Sequence, residues 1–384
     1  MVRQHLTYCL NVHPGESWQD SLAAIERYAL PVRAKVVGEE SFGLGLRLSY
    51  AAAVELMQGT NLAQFKEFLR QHNLYVFTVN GFPYGQFHGT AVKERVYQPD
   101  WRSAERVDYS CLLGDIMAQL VPPDVMGSIS SVPGCYLGEG SVDRNDYDRI
   151  FENLVQVVRH LEQIEVSSGR QIMLALEPEP DCLFDSVEST IAFFDDFDSS
   201  AAAGGLDCDW RRYLGMCFDT CHFAVVFDDP LVGLQQIIRR GIPVPKVQLS
   251  AALRADSGAE SAGILEKFAE ATYLHQTRLR NAAGRMRGWS DLTASALQQI
   301  REDAGGEVRV HMHVPLYFER FGSLASTADM LTADFFQAAR VVEHLEIETY
   351  TFGVLPPELV NIAITESIAK EFEFVHGMLR ESGD

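Results

Sequence analysis

Residues 171–180 read QIMLALEPEP, and residues 213–222 read YLGMCFDTCH. Each is a short apolar run that breaks at its C-terminal end into groups able to bind a cation or move a proton. Runs of this kind alternate along the chain with longer segments of helical period, and that alternation predicts a parallel sheet. Working outward, Asp143–Val166 reads as the amphipathic helix ahead of the first run. Leu6–Val12, Leu44–Leu48, Leu74–Val79 and Val125–Ile129 read as strands one to four. Gln171–Leu176 and Tyr213–Phe218 are strands five and six, Val244–Leu249 is strand seven and Leu345–Tyr350 is strand eight. Helices are expected over Ser17–Ala29, with Ser17 as its cap, and over Asn61–His72, Trp101–Leu120 and Thr332–His344. Val308–Val314 is a ninth β-like segment, expected as an added strand or extended loop near the mouth. Phe82–Asp100, Ser199–Asp209 and Arg254–Ser261 read as loops. The expected architecture is one α/β domain over residues 1–384. It is a (β/α)8 TIM barrel over about 5–355 with a helical tail over about 356–384.

Composition narrows the function. Fifty-three acidic against 32 basic residues give a formal charge of −21. Such a surface repels phosphodiester backbones and anionic lipid, so no nucleic-acid partner is expected. No apolar run approaches the ~20 residues of a membrane helix, and the N-terminal residues carry no signal-peptide pattern. Seven scattered cysteines suit a reduced, cytoplasmic chain better than a disulfide framework.

Catalytic groups of a barrel gather where strands finish. Here those positions hold Asn11 and His13, Asn80, Glu177, Asp219 and His222, Gln248, and Glu348. Glu177, Asp219 and Glu348 can supply carboxylates to a divalent cation from three strands. His222 lies three residues past Asp219, one turn on if a helix begins there. His311 and His313 share a face of an extended segment. The competing readings are strand-end salt links, helix capping by Asp219 and satisfied loop histidines. Glu346 and Glu348 share a face, and Glu348 is preferred because it lies nearer the strand's end. The aromatic loop offers Tyr84, His88, Lys93 and Trp101 as ligand-contacting residues. No G-x-G-x-x-G, Walker loop or G-x-S-x-G is present.

The strand-five Glu, strand-six Asp-x-x-His and strand-eight Glu together resemble the xylose isomerase-like barrels, which include sugar isomerases, epimerases, inosose dehydratases and endonuclease IV. Three longer strings, Tyr8–Glu16 (YCLNVHPGE), Thr78–Asp100 (TVNGFPYGQFHGTAVKERVYQPD) and Glu348–Pro357 (ETYTFGVLPP), resemble the EboE metabolite-traffic proteins. That resemblance implies a cytoplasmic barrel handling a small metabolite precursor, with other Ebo-cluster proteins as partners. The superfamily pattern implies a metal set of Glu177, Asp219 and Glu348. Gln248 stands where a histidine ligand is common, and a glutamine there suits a hard cation better than Zn²⁺. His222, His311 and His313 match a second metal position. The expected cofactor is one or two ions of Zn, Mn or Mg. The function expected first is isomerase- or epimerase-like chemistry on a polyol or hydroxy-ketone, with Glu177 and Glu348 as the acid–base pair. The alternatives are a non-catalytic carrier of a hydrophobic precursor and a metal-dependent hydrolase.

Overall fold

The computed structural model describes residues 3–357, 359 and 361–383. Met1 and Val2, which open the segment read for a signal peptide, and Glu358, Val360 and Asp384 of the expected tail lie outside the described residues. Seven strands come first: β1 (His5–Tyr8), β2 (Phe42–Arg47), β3 (Leu74–Asn80), β4 (Gly127–Ser131), β5 (Ile172–Leu176), β6 (Leu214–Asp219) and β7 (Lys246–Leu249). Six more follow: β8 (Leu253–Asp256), β9 (Thr277–Arg280), β10 (Met286–Trp289), β11 (Glu307–Val310), β12 (Arg320–Phe321) and β13 (Leu324–Ser326). The last strand is β14 (His344–Ile347).

Strands β1 to β7 and β14 pair in parallel in the order β1-β14-β7-β6-β5-β4-β3-β2. A parallel bridge from Cys9 to Gly45 joins the two ends of that order. With helices around it, this is the expected (β/α)8 barrel. Every residue of β2, β4, β5, β6, β7 and β14 is buried, as strands enclosed on both faces must be. Gly45 is required where the ring closes. A Cβ there would stand 2.2 Å from Glu346 Oε1 and 2.8 Å from the Tyr8 carbonyl.

The helices begin where side-chain caps allow. Ser17 accepts from the Asp20 amide while the Asp20 carboxylate accepts from the Ser17 amide, a reciprocal capping box. That helix outruns its expected end at Ala29 and continues to Val36. A π turn over Ile25–Ala29 accommodates Pro31 in the following helical turn.

Several boundaries depart from the sequence reading. The first strand stops at Tyr8, not Val12, because Leu10–Val12 folds into a 3-10 turn with the His13 amide donating to the Leu10 carbonyl. The Thr332–His344 helix is shorter, Ala333–Ala338 plus a 3-10 turn, and β14 starts at His344. Ser199–Asp209 is half helix, since Val187–Ala203 runs into it. Arg254–Ser261 is no loop: it holds most of β8 and the start of the helix Ala259–Leu265.

The largest correction concerns Val308–Val314. In place of one added strand, the chain between β7 and β14 builds a six-stranded antiparallel sheet in the order β10-β9-β11-β8-β13-β12. Its strands are two to four residues long, so the alternation in Leu253–Asp256 and Thr277–Arg280 spans too few residues to mark them. Only Val308–Val310 of the expected segment is strand, within Glu307–Val310. His311–Val314 is irregular and buried, with the Met312 amide turned back to the Val310 carbonyl. The tail is the helix Ile364–Glu381. Among the described residues, no helix is long and apolar enough to cross a membrane.

Candidate metal centre

Four carboxylates and three imidazoles meet at the mouth of the barrel. Glu177 follows β5 directly, Asp219 ends β6 and Glu348 follows β14. One oxygen from each of these three lies within 4.8 Å of the others, and all three side chains are buried. His222 sits in the first turn of the short helix Thr220–Val225 after β6. His311 and His313 follow β11, so the inserted sheet delivers them to the barrel. Asp219 forms a second close group with His222 and His313, and Glu179 a third with His222 and His311.

The carboxylates are each held by some contacts and left open by others. Asp219 Oδ1 accepts from the His222 amide at 3.0 Å and from Ser250 Oγ at 2.7 Å, whereas its buried Oδ2 has no partner. Helix capping and metal ligation, competing readings of Asp219 from sequence, are thus served by different oxygens. Glu348 Oε1 accepts from Asn11 Nδ2 at 2.7 Å and Asn80 Nδ2 at 3.1 Å. Glu177 Oε2 is buried and unpartnered. Orphaned carboxyl oxygens at this depth are costly unless a proton or a cation joins them.

The imidazoles carry a second, independent sign. His222 Nδ1 lies 2.8 Å from the Pro178 carbonyl, and His313 Nδ1 lies 2.9 Å from the Glu348 carbonyl. His311 Nδ1 lies 2.7 Å from Gln276 Oε1. Gln276 Nε2 faces the Pro180 carbonyl and Tyr97 Oη, which orients its amide with the oxygen toward His311. All three Nδ1 atoms therefore donate to acceptors, and His311 and His313, which burial keeps neutral, carry a lone pair on Nε2. The Nε2 atoms of His311 and His313 face each other at 3.2 Å. Two lone pairs at that distance repel unless a proton or a cation stands between them. Backbone carbonyls fixing the far nitrogen are a common way to aim a ligand histidine.

Proton affinities follow from the same contacts. Burial, reinforced by Asp219, pushes Glu177 up to about 8 against the opposing pull of His222. Burial and the neighbouring carboxylates Glu177 and Asp219 raise Glu348 well above the usual carboxylate range. Burial also acts on Asp219, but His222, His313 and the Ser250 hydroxyl outweigh it and hold this carboxyl low. Burial lowers His313 to about 4 and His311 further, each reinforced by its imidazole neighbours. His222 is also buried, yet Asp219, Glu179 and Glu177 hold it above the ordinary histidine value.

One layer below, Lys246 Nζ lies 2.5 Å from Glu346 Oε2, both side chains fully buried. This pairing separates the two glutamates of β14: Glu346 neutralises a lysine inside the barrel and Glu348 joins the cluster. Gln248 is level with Asp219 in the β6–β7 ladder, and its Oε1 accepts from the Cys217 thiol at 3.2 Å. Its amide oxygen is thus already engaged.

Beside the cluster lies a narrow cavity of about 50 Å³ that includes Asn11, Asn80, Glu177, Glu179, His222, His311 and Glu348 in its walls. Of the loop residues expected at the ligand, only Lys93 borders it, and its ammonium is engaged elsewhere: Asp291 Oδ2 at 2.5 Å and the carbonyls of Glu270 and Tyr273. The other expected contacts need correction. Trp101 is fully buried, its indole N–H donating to the Val132 carbonyl. Tyr84 stacks on Tyr50, with ring centroids 4.9 Å apart. His13 stacks on Tyr28 at 4.1 Å and pairs with the Tyr8 hydroxyl at 3.0 Å. His88 lines a separate surface cleft with Glu16 and Tyr28. Other residues of the same loop, Phe82, Phe87, Val92, Val96 and Tyr97, border the cavity in their place.

Sequence reasoning missed Glu179 and Gln276. Glu179 is two residues past Glu177 in an extended Pro-flanked segment and accepts from Tyr97 Oη at 2.7 Å. The Glu-Pro-Glu spacing was its signal. Gln276 had none, because its role depends on the fold of the insertion.

Solved structures share this architecture. An IOLI protein described with a binding zinc atom aligns over 99% of both chains, with a TM-score of 0.51 and 12% identity. A D-allulose 3-epimerase from Methylomonas sp., in complex with D-allulose, aligns over 98% of both chains at 0.51 and 12%. A xylose isomerase domain protein from Planctomyces limnophilus aligns over 100% of this chain and 98% of its own, at 0.50 and 11%. What the chain shares with these structures is the fold, a (β/α)8 barrel. No protein-family model matches the chain, and no curated protein matches it.

Proposed function

We propose that this chain is a divalent-metal-dependent enzyme of isomerase or epimerase type acting on a polyol or hydroxy-ketone. The observation that carries the reading is the convergence of Glu177, Asp219 and Glu348, two of them with a bare buried oxygen, at a narrow cavity walled by polar and aromatic side chains. Those three residues would hold one ion. His222, His311 and His313, with Asp219 or Glu179 beside them, would hold a second. Zn, Mn or Mg bound there would polarise the substrate's oxygens and acidify the proton to be moved.

The chain's own groups supply the rest. Asn11 and Asn80 fix Glu348 through Oε1, leaving Oε2 to exchange a proton with substrate. Glu177 has no hydrogen bond holding Oε2, so that atom can take or return a proton. A carboxyl with an affinity near 8 is tuned for such transfer near neutral pH. The two glutamates come from strands three positions apart in the ring, closer than opposite sides. Buried walls around them exclude water from a carbanion-like species.

The second reading, a non-catalytic carrier for a hydrophobic precursor, draws support from the aromatic upper walls of the cavity. The three strings that resemble EboE proteins all border that cavity, through Asn11, through Asn80 to Tyr97, and through Glu348 and Tyr350. Ebo-cluster partners and a cytoplasmic location belong to this same reading. Metal content of unsupplemented protein, followed by NMR of α-proton exchange in D₂O across a panel of hydroxy-ketones, tests the enzyme reading. Bound metal with stereospecific exchange is expected. Bound ligand with no exchange on any substrate would favour the carrier, and absence of metal would overturn the site itself.

A further inference from the structure

The cavity has two chemically distinct ends. Its floor is the carboxylate and imidazole cluster. Its other wall is largely aromatic: Phe82, Phe87, Val92, Tyr97, Tyr273 and Tyr350 all border it, with the Tyr97 and Tyr350 hydroxyls reaching down to Glu179 at 2.7 Å and His311 at 3.4 Å. Phe87 packs on Tyr273 and Tyr350 with ring centroids 5.1 and 5.5 Å apart, and Val92 joins them in a small hydrophobic cluster separate from the barrel core. An aryl group buries more apolar surface on such a wall than the C–H face of a sugar does.

The anchors of an anionic substrate are missing from the same walls. Apart from the floor histidines, Lys93 is the one cationic side chain among the described lining residues. Its ammonium is taken by Asp291 and two backbone carbonyls, a latch that ties the loop after β3 to the insertion. Two amides tighten the latch, since Val92 and Lys93 both donate to the Thr272 carbonyl. Arg47, behind Phe87, spends its guanidinium on Glu16 and the carbonyls of Gly15 and Gly85. Barrels that hold phosphate use the loops after the seventh and eighth strands and a helix N-terminus there. Here β7 leads into β8, and β14 into the 3-10 turn Tyr350–Val354. A phosphate or carboxylate would also face the four floor carboxylates.

From this division we infer that the substrate is uncharged and two-part: a head of adjacent hydroxyl or carbonyl oxygens for the floor, joined to a flat aromatic tail for the Phe87–Tyr273–Tyr350 wall. The inference rests on the isomerase or epimerase reading of the floor and adds the substrate class. Calorimetry on the Mn²⁺-loaded protein with three matched probes tests it: hydroxyacetone (head alone), 2-hydroxyacetophenone (head with aryl tail) and dihydroxyacetone phosphate (head with anion). The expected result is 2-hydroxyacetophenone binding at least roughly tenfold tighter than hydroxyacetone, the scale of burying one ring. Dihydroxyacetone phosphate should bind no tighter than hydroxyacetone. In Phe87→Ala the aryl preference should shrink severalfold. Equal binding of the two neutral probes, or tightest binding of the phosphate, would overturn the inference and leave the floor chemistry standing. Binding of none of the three would overturn the floor reading itself.

Discussion

The two halves of the donor cluster are built from different material. The carboxylate half stands on barrel strand ends, where burial and mutual repulsion drive Glu177 and Glu348 to keep their protons; in the imidazole half two of the three rings arrive on the inserted segment after β11 and burial keeps those two neutral. Crowding in the first half is between acids, and in the second between ring nitrogens held 3.2 Å apart. The first suits a hard ion such as Mg²⁺ or Mn²⁺, the second a borderline ion such as Zn²⁺. Asp219 belongs to both. The contrast teaches that one mouth can present two grades of ligand, provided a shared residue joins them.

Asp219→Ala should erase the distinction. Both halves lose a donor, so bound metal should fall to background by plasma mass spectrometry. Turnover, where measurable, should drop on the order of a thousandfold or more. Folded protein retaining its full metal content would break the comparison outright. Next in size, His311→Ala and His313→Ala together should remove only the imidazole-half ion. Metal per chain should fall to the carboxylate-half complement, and any Zn²⁺ preference should go with the lost ion. A smaller effect is expected from Gln276→Leu, which takes away the acceptor aiming His311: affinity for that ion should weaken roughly 10–100-fold, with the carboxylate ion untouched.

The pH dependence of the metal-free protein sharpens the same contrast. Glu177 has a folded-state value of about 8, raised above its unfolded value, so it holds its proton in the native state. Its contribution is fully present below the ordinary carboxylate value and is lost as pH rises toward 8. His313 runs the other way: lowered to about 4, it adds stability as pH rises from 4 toward 6.5. Melting temperature should therefore fall between pH 6.5 and 8 in the metal-free protein. Glu177→Gln should flatten that fall, and an unchanged slope in the variant would assign it to other groups.

Much of this was readable before any coordinates. The eight barrel strands showed as short apolar runs between helical segments, and the donors showed because polar residues cap those runs. Glu348 over Glu346 was legible from position alone, and the buried Lys246 partner gives the physical reason. What stayed hidden depends on long-range geometry. The strands TRLR and MRGW of the inserted hairpin are four residues each, too short for a period to show, so tertiary pairing and not local pattern makes them strands. The loop residues Tyr84, His88 and Trp101 looked like ligand contacts by composition, but a rich loop can pack on itself. Composition cannot say which of its aromatics face inward.

The place of the insertion has a consequence for how such a protein could change over generations. His311 and His313 ride on chain that threads between β7 and β14 without taking part in closing the ring. Rewriting that excursion would alter how many ions the mouth holds while the strand-borne acids kept their posts. Under the proposed metal reading, nuclearity would be a removable accessory, separable from the scaffold that makes the barrel.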